Sequence, residues 1–539
     1  MQGKKPFLDK EVTRFRLSER VPPHNLYRRL AEWVDWSFLY AETRALYSHT
    51  GQPSLDPVVF FKLVLVGRLE NLVSDRRLVE HCALRLDILL FLGYEVDEEL
   101  PWHSTVSRTR QLFPAAVFER LFDHVFAQCV ARGLVAGDTQ TVDSAPVKAN
   151  ASLESLREKA FLTAPTLNVT GREPLLESTP AAAQLVAPAH QLRRVATRQA
   201  KRQQASGSLG GTHLKARLVS NKTHYSTTDP EARISVKPGK ARALNYLCSL
   251  AVDTATGIIS HVQADLADSR DSVHLPGLVQ QLHARLTRHE LPFHAVVADA
   301  GYSNGFNYAF LEQRAITPWI PVFGRYKPFI AGFTYLPEAN AYRCPAGKLL
   351  PFRNYSVSLD GNWLKNYRAA YRDCQSCPLK PTCVPSATQK KLVRSPFDSA
   401  YFRAWQRQQS RAGQRMRRVR QGTVEPVFGH LLHQYGLRRL NVRGHAGAHK
   451  TMLLTAVAYN LKKLLKHRPQ RQVSMVLALP RPILAANKRA APRTHRTSTW
   501  SAPGTCAGAQ LTRVLQQPRP FFGGFRQVLK RLGNAYFPG

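Results

Sequence analysis

Two short apolar runs in this chain each lead into an aspartate, and that pattern, met twice, constrains the fold more than any other feature of the sequence. Leu134-Val135-Ala136 passes through Gly137-Asp138 to Thr141-Val142-Asp143-Ser144, and His294-Ala295-Val296-Val297-Ala298-Asp299 is followed by Ala300-Gly301-Tyr302. Such runs read as short strands, each with a carboxylate exposed at its end. In an α/β sheet the carboxyl ends of adjacent strands meet at one place, so Asp143 and Asp299 are expected to share a site. Two carboxylates about 4 Å apart repel by roughly 4 kcal/mol at an effective dielectric of 20, and a hard cation such as Mg²⁺ keeps both ionised. The alternative is that each aspartate caps the turn that follows it.

The segments around these runs extend the pattern. Leu244–Val252 and Ile258–Ala264 read as strands joined by Asp253-Thr254-Ala255-Thr256-Gly257, which is hairpin chemistry. A helix is expected over Asp271–His289 and a further strand over Thr317–Val322. Strand, hairpin, helix, strand, helix, strand is the order of an α/β, ribonuclease-H-like core with a mixed sheet. Upstream, residues 1–133 place apolar positions at helical spacing in Pro57–Val66, Asp87–Leu92 and Phe113–Val130. Ser74-Asp75-Arg76-Arg77 and His103-Ser104-Thr105 offer helix caps, and Arg108 and Arg110 follow the second. A helix-turn-helix-like DNA reader fits, as does a plain helical bundle with solvated arginines.

Charge narrows the function. The chain has 76 Lys plus Arg against 37 Asp plus Glu, a formal net charge of +39, which excludes an ordinary metabolic enzyme and points to a polyanion. At 44% hydrophobic residues the chain can still bury a core. No apolar run is long enough to span a membrane and MQGKKPFLDKE has no signal-peptide apolar region, so a soluble intracellular protein is expected. Residues 150–240 are basic and weakly periodic, which suggests a linker or phosphate-gripping arm.

After Asp398 the only acidic residue is Glu425, and residues 426–539 contain none against 19 Lys plus Arg. Arg411, Arg415 and Arg418 precede it at i, i+4 and i+7, with Glu425 on the same helical stripe. Arginines there can grip phosphate while the carboxylate completes a metal site; a structural ion pair with Arg418 or Arg420 is the other reading. Pro426 calls for a kink or restart of the helix. Of eight cysteines, Cys344, Cys374, Cys377 and Cys383 cluster, and four thiolates match a closed structural Zn²⁺ site, with free buried thiols as the alternative. Cys82, Cys129 and Cys248 lie in apolar runs and read as core.

Taken together, Thr141–Ser144, Lys148–Ser152, Asp229–Arg233, Ala298–Tyr302 and Thr423–Gly429 resemble the blocks of a bacterial insertion-sequence DDE transposase, of the IS4/IS5-like type with a cysteine-bearing insert before the catalytic glutamate. Gly51-Gln52-Pro53 through Arg77 and His103 through Arg110 resemble the helical domain that precedes such cores, and the likeness runs on through Arg443-Gly444 and Tyr459-Asn460-Leu461. The resemblance implies that Asp143, Asp299 and Glu425 are a catalytic triad binding two divalent ions, Mg²⁺ or Mn²⁺, and that Lys148, Tyr302, Arg411, Arg415, Arg418, Arg420, His433, Arg438, Arg439 and Arg443 contact DNA. It implies double-stranded DNA as partner, both element ends and target, a homo-oligomer in the DNA complex and a bacterial cytoplasmic, nucleoid-associated setting. Two positions depart from the family's pattern: Leu432 stands where a lysine is usual, with His433 beside it, and Trp102 where an aspartate is commoner.

The expected division is a helical DNA-binding domain at 1–133, the first part of the core at 134–326 carrying the basic arm 150–240, a cysteine-bearing insertion at 327–400, the second part of the core with the glutamate at 401–466, and a basic, disordered tail at 467–539. The expected activity is cleavage at the element's ends and joining of the 3′-hydroxyls to target DNA. The alternatives are a related nuclease without strand transfer and a catalytically decayed copy acting as a DNA-binding protein.

Overall fold

A computed structural model of the chain describes residues 14–48, 54–163, 183–209, 211, 213–236, 241–324, 329–357 and 363–467. The expected tail beyond His467, the block Gly51-Gln52-Pro53 and residues 164–182 of the basic arm lie outside the described residues.

The sheet is built on Thr139–Lys148 (β1). Arg233–Ser235 (β2), Ala243–Asp253 (β3), Ile259–Leu266 (β4), Ala295–Val297 (β5) and Thr317–Trp319 (β6) complete it. The order runs β6, β5, β1, β3, and both β4 and β2 pair with β3. β3 and β4 are the expected hairpin; β3 is antiparallel to both β1 and β4, whereas β5 and β6 join in parallel. Parallel strands need a crossover. Helix Asp271–Arg288 lies between β4 and β5, and Gly305–Glu312 between β5 and β6.

β1 is longer than its apolar run suggests, and Asp143 stands at its fifth residue rather than at its end. The reason is β3: eleven residues with ten of them buried give β1 a partner as far as Lys148↔Asn245, well beyond Asp143. The basic arm also holds more structure than its composition suggests. Ala189–Gln204 is a helix whose partly buried Leu192, Val195 and Gln199 and buried Arg202 turn inward, while β2 belongs to the main sheet. With only two aliphatic residues on that inner stripe, the hydrophobic period is too faint to read.

The helices before β1 form as expected, including Pro57–Leu69, Asp75–Ala83, His103–Leu112 and Ala115–Ala131. The second cap differs: Trp102 occupies the cap position, and His103 is the first helical residue. Asp56 caps Pro57–Leu69 through Val58 and Val59, with proline at the first turn where its missing N–H costs nothing. The apolar core is continuous from these helices into the sheet, from Phe60, Phe61 and Phe118 through Val142, Leu250 and Val296. Helix His445–Lys466 joins the two, packing on Ala115–Ala131, Pro57–Leu69 and β4. Within it, Asn460 accepts a hydrogen bond from Ile259 N (3.0 Å) and donates to Ile259 O (2.9 Å), next to the irregular register of the hairpin.

Thr334–Leu336 (β7), Ala341–Arg343 (β8), Leu349–Val357 (β9), Trp363–Arg368 (β10) and Lys391–Arg394 (β11) form a separate antiparallel sheet in that order. It has its own small core of Tyr342, Leu350, Tyr367, Ala369 and Leu392. Among the described residues no helix is long and apolar enough to cross a membrane.

One buried ion network ties three layers together. Arg285, only 5% exposed, donates to Asp123 (2.6 Å) and Glu119 (3.1 Å) on Ala115–Ala131 and to the Ser260 carbonyl on β4. His449 of the C-terminal helix lies 2.7 Å from the same Glu119. Removing Arg285 takes the shared, most buried cation from Asp123 and Glu119 and leaves these partly buried carboxylates with only Arg288 and His449 beside them. Arg285→Ala is therefore expected to lower the unfolding free energy by about 3 kcal/mol, read from urea denaturation; a change below about 1 kcal/mol, the size of an exposed pair, would contradict this role.

Candidate active site

The parallel register decides where the two aspartates lie. Thr139, Gln140 and Thr141 pair with Ala295, Val296 and Val297. Each chain continues two residues further to its aspartate, so Asp143 and Asp299 follow the last paired position in step. β5 stops at Val297 and the chain turns: Asp299 caps the turn Ala300–Tyr302 by accepting from Gly301 N at 2.9 Å. A Cβ at residue 301 would stand 2.9 Å from Asp299 Oδ1, so a side chain there would push that carboxylate aside. The turn-capping alternative thus holds for one oxygen of Asp299. Asp143 uses Oδ1 similarly on Ser144 N (2.8 Å), and its Oδ2 faces Arg420.

The glutamate helix is Arg411–Gln434, capped by Ser410 through Gly413 N. It does not restart at Pro426. Its buried side is Val424, Val427, Phe428 and Leu431, and part of it packs against β1. Arg420 Nη1 donates to Asp143 Oδ2 (3.0 Å) and Nη2 to Glu425 Oε1 (2.8 Å), so one guanidinium joins two of the three carboxylates. The ion pair foreseen for Glu425 is present, and it extends to Asp143. Asp299 and Arg420 line one cavity of about 310 Å³ with Trp319, Arg407, Arg417 and Gln421. Neither Trp319 nor Arg417 stands out in the sequence as a site residue; Arg417 is legible there only as one more arginine in a basic helix.

The remaining expected residues divide by exposure. Arg411, Arg415 and Arg418 are exposed, as are Lys148, His433, Arg438, Arg439 and Arg443. Lys148 N donates to Arg438 O (3.2 Å) and Leu440 N to Lys148 O (2.9 Å), which fastens the end of β1 to the segment after the glutamate helix. Tyr302 corrects its expectation as a DNA contact: it is 1% exposed and offers no surface. Burial, then the charge of Asp143, pushes its phenol far above the usual range, so it stays neutral beneath the carboxylates. Leu432 is half-buried against the apolar core, while His433 Nδ1 faces Arg438 at 3.2 Å. Several resembling blocks serve structure: Asp229, fully buried, accepts from Tyr246 (2.7 Å), Glu231 accepts from His445 N at the start of the C-terminal helix (2.7 Å), and Asn150 donates to Asn441 O (3.2 Å).

Cys344, Cys374, Cys377 and Cys383 line one cavity of about 30 Å³ at the edge of the smaller core. Gly347 N donates to Cys344 O (2.9 Å) and Lys380 N to Cys377 O (3.0 Å), so two of the four stand at turns. Cys82, Cys129 and Cys248 are buried, and burial raises each thiol, to about 12 for Cys82 and Cys129. Among the described residues no group of three His, Cys, Asp or Glu side chains is gathered tightly enough to enclose an ion.

Residues 15–112 match the family described as a transposase domain (DUF772), and residues 343–465 match the transposase DDE domain. Both matches support an insertion-sequence DDE transposase. The first match covers the helices up to Leu112; the second covers all four clustered cysteines and Glu425, while Asp143 and Asp299 fall between the two. The DDE domain indicates a transposase-type enzyme; transposases act on DNA, and the family implies use of a divalent metal, typically Mg²⁺. No curated protein matches the chain.

Proposed function

We propose that this transposase cleaves DNA at the ends of its element and joins the freed 3′-hydroxyls to target DNA, with Asp143, Asp299 and Glu425 as the ligands of two divalent ions. The observation that carries the reading is the convergence on Arg420: side chains 282 residues apart in sequence, Asp143 and Glu425, bond one guanidinium beside the cavity that Asp299 lines. The donor set is all carboxylate, which suits a hard cation. Divalent ions bound there would lower the pKa of the attacking oxygen and stabilise charge on the leaving one. The sheet with strand order β6, β5, β1, β3, β4 and the parallel aspartates supports a ribonuclease-H-like core.

The chain's own residues supply positioning. β1 and β5 fix two carboxylates through main-chain register, and the glutamate helix, packed against β1 through its apolar face, brings the third. Arg411, Arg415 and Arg418 rise about 10 Å along its exposed stripe and give charged hydrogen-bond donors to a phosphate backbone. Lys148, Arg438, Arg439 and Arg443, exposed at and beyond the other end of the helix, offer further cations to DNA, with His433 beside Arg438. The helices of 1–133 read element ends, and the division into 134–326, 327–400 and 401–466 follows the sheet, the cysteine-bearing segment and the glutamate helix. The IS4/IS5-like assignment, assembly as a homo-oligomer on DNA and association with the bacterial nucleoid belong to the same reading.

Asp143→Ala, Asp299→Ala and Glu425→Ala are each expected to reduce Mg²⁺-dependent cleavage of DNA bearing the element ends about a thousand-fold or more, with DNA affinity changed little. Parental cleavage by any one variant would remove that residue from the site. The product pattern separates the alternatives: nicking without joined strands indicates a nuclease, and binding without cleavage a decayed copy.

We further propose that Cys344, Cys374, Cys377 and Cys383 hold a structural Zn²⁺. They line one cavity at the edge of the smaller core, and four thiolates are the ligand set of a closed site. Elemental analysis of protein purified without chelator should give about one zinc per chain, lost in Cys374→Ser with destabilisation of residues 329–400; zinc-free wild-type protein would sink the assignment.

A further inference from the structure

Arg420 is 16% exposed and Asp143 19%, whereas Glu425 is 51% exposed. The Arg420–Glu425 contact is not the neighbour pairing a helix supplies by itself. Side chains three or four residues apart share a face, but five residues apart they diverge by about 140° around the axis. Arg420 is turned to the sheet by Asp143, and Glu425 is drawn round to it. Arg417 provides the comparison: it lines the same cavity, is exposed, and forms no ion pair among the described residues.

A guanidinium stays charged at any working pH, is weakly hydrated and spans two carboxylates with its planar fork. Arg420 brings one positive charge to the two carboxylates of Asp143 and Glu425. That arrangement orients two carboxylates without filling their coordination as a divalent cation does. We propose that Arg420 is an exchangeable counter-ion, which occupies Asp143 and Glu425 in the DNA-free protein and is released to a DNA phosphate when a divalent cation takes over these carboxylates. This rests on the reading of Asp143, Asp299 and Glu425 as metal ligands. The consequence is that divalent-ion binding without DNA is weakened by competition from within the chain. The free protein then has low affinity for the ion it needs, and DNA, by giving Arg420 another partner, raises that affinity; by linkage the ion raises affinity for DNA equally.

The test is Mn²⁺ titration of the full chain without DNA, followed by the paramagnetic resonance signal of free Mn²⁺. Arg420→Ala should tighten Mn²⁺ binding about ten-fold. Arg420→Lys, which keeps the charge but reaches one carboxylate, should fall between it and wild type and also serves if the alanine variant folds poorly. Arg417→Ala should change the affinity less than two-fold. Unchanged or weaker binding in Arg420→Ala overturns the proposal, and so does equal tightening in Arg417→Ala, because loss of any nearby charge then suffices. If Asp143→Asn and Glu425→Gln leave Mn²⁺ binding intact, the underlying assignment of the ligands fails instead, independently of how Arg420 behaves.

Discussion

Carboxylates brought near one another repel, and a site made of Asp143, Asp299 and Glu425 has to offset that repulsion. At about 4 Å two such groups oppose each other by several kcal/mol even at an effective dielectric of 20, comparable with the net stability of many domains. Main-chain pairing along β1 and β5, in a layer of buried Val142, Val296 and Val297, sets Asp143 and Asp299 in step despite their charge. Arg420 offsets the field at Asp143 and Glu425, and exposed arginines dominate the rest of the glutamate helix. A chain at +39 has cation to spare for this and for a polyanionic substrate.

The helices before β1 are fastened to the same place. Arg68, buried, donates to Gly436 O (3.3 Å), and Asn71 donates to His433 O (3.4 Å), both at the end of the glutamate helix. Arg110 grips Asp75 with two bonds of 2.7 Å, and Asn441 reaches the same carboxylate at 3.4 Å. The apolar core is continuous across this junction, so the N-terminal helices and the glutamate helix share one core. A side chain at 436 would meet Val73, Asn71 and Arg68, which explains why glycine closes the turn there, at φ +67°.

What the sequence revealed and what it hid follow the physics of each signal. Strands buried on their whole length, such as Leu244–Val252 and Ala295–Val297, announce themselves by apolar content, as does the hairpin by its turn residues. Asp143 and Asp299 were legible because a carboxylate is conspicuous against such runs, and Glu425 because its surroundings hold no other acid. The length of β1 was not legible, since it depends on β3 a hundred residues away. Nor was the five-stranded sheet around the cysteines: its strands are short, and Tyr355, Val357 and Trp363 are exposed, so alternation fails. Tyr302 was misplaced because residue type alone does not separate a buried phenol from one facing DNA. Arg420 was read from its position near Glu425; its bond to Asp143 is a tertiary contact that no local pattern contains.

The account stands on three residues far apart in the chain forming one divalent-ion site, and iron-mediated backbone cleavage tests that most directly. Fe²⁺ in place of Mg²⁺, with ascorbate and peroxide, generates radicals that cut the polypeptide beside the bound ion. The account predicts cuts clustered near residues 143, 299 and 425, suppressed together by excess Mg²⁺. Cuts near only one of the three, or cuts elsewhere that Mg²⁺ suppresses, would contradict it.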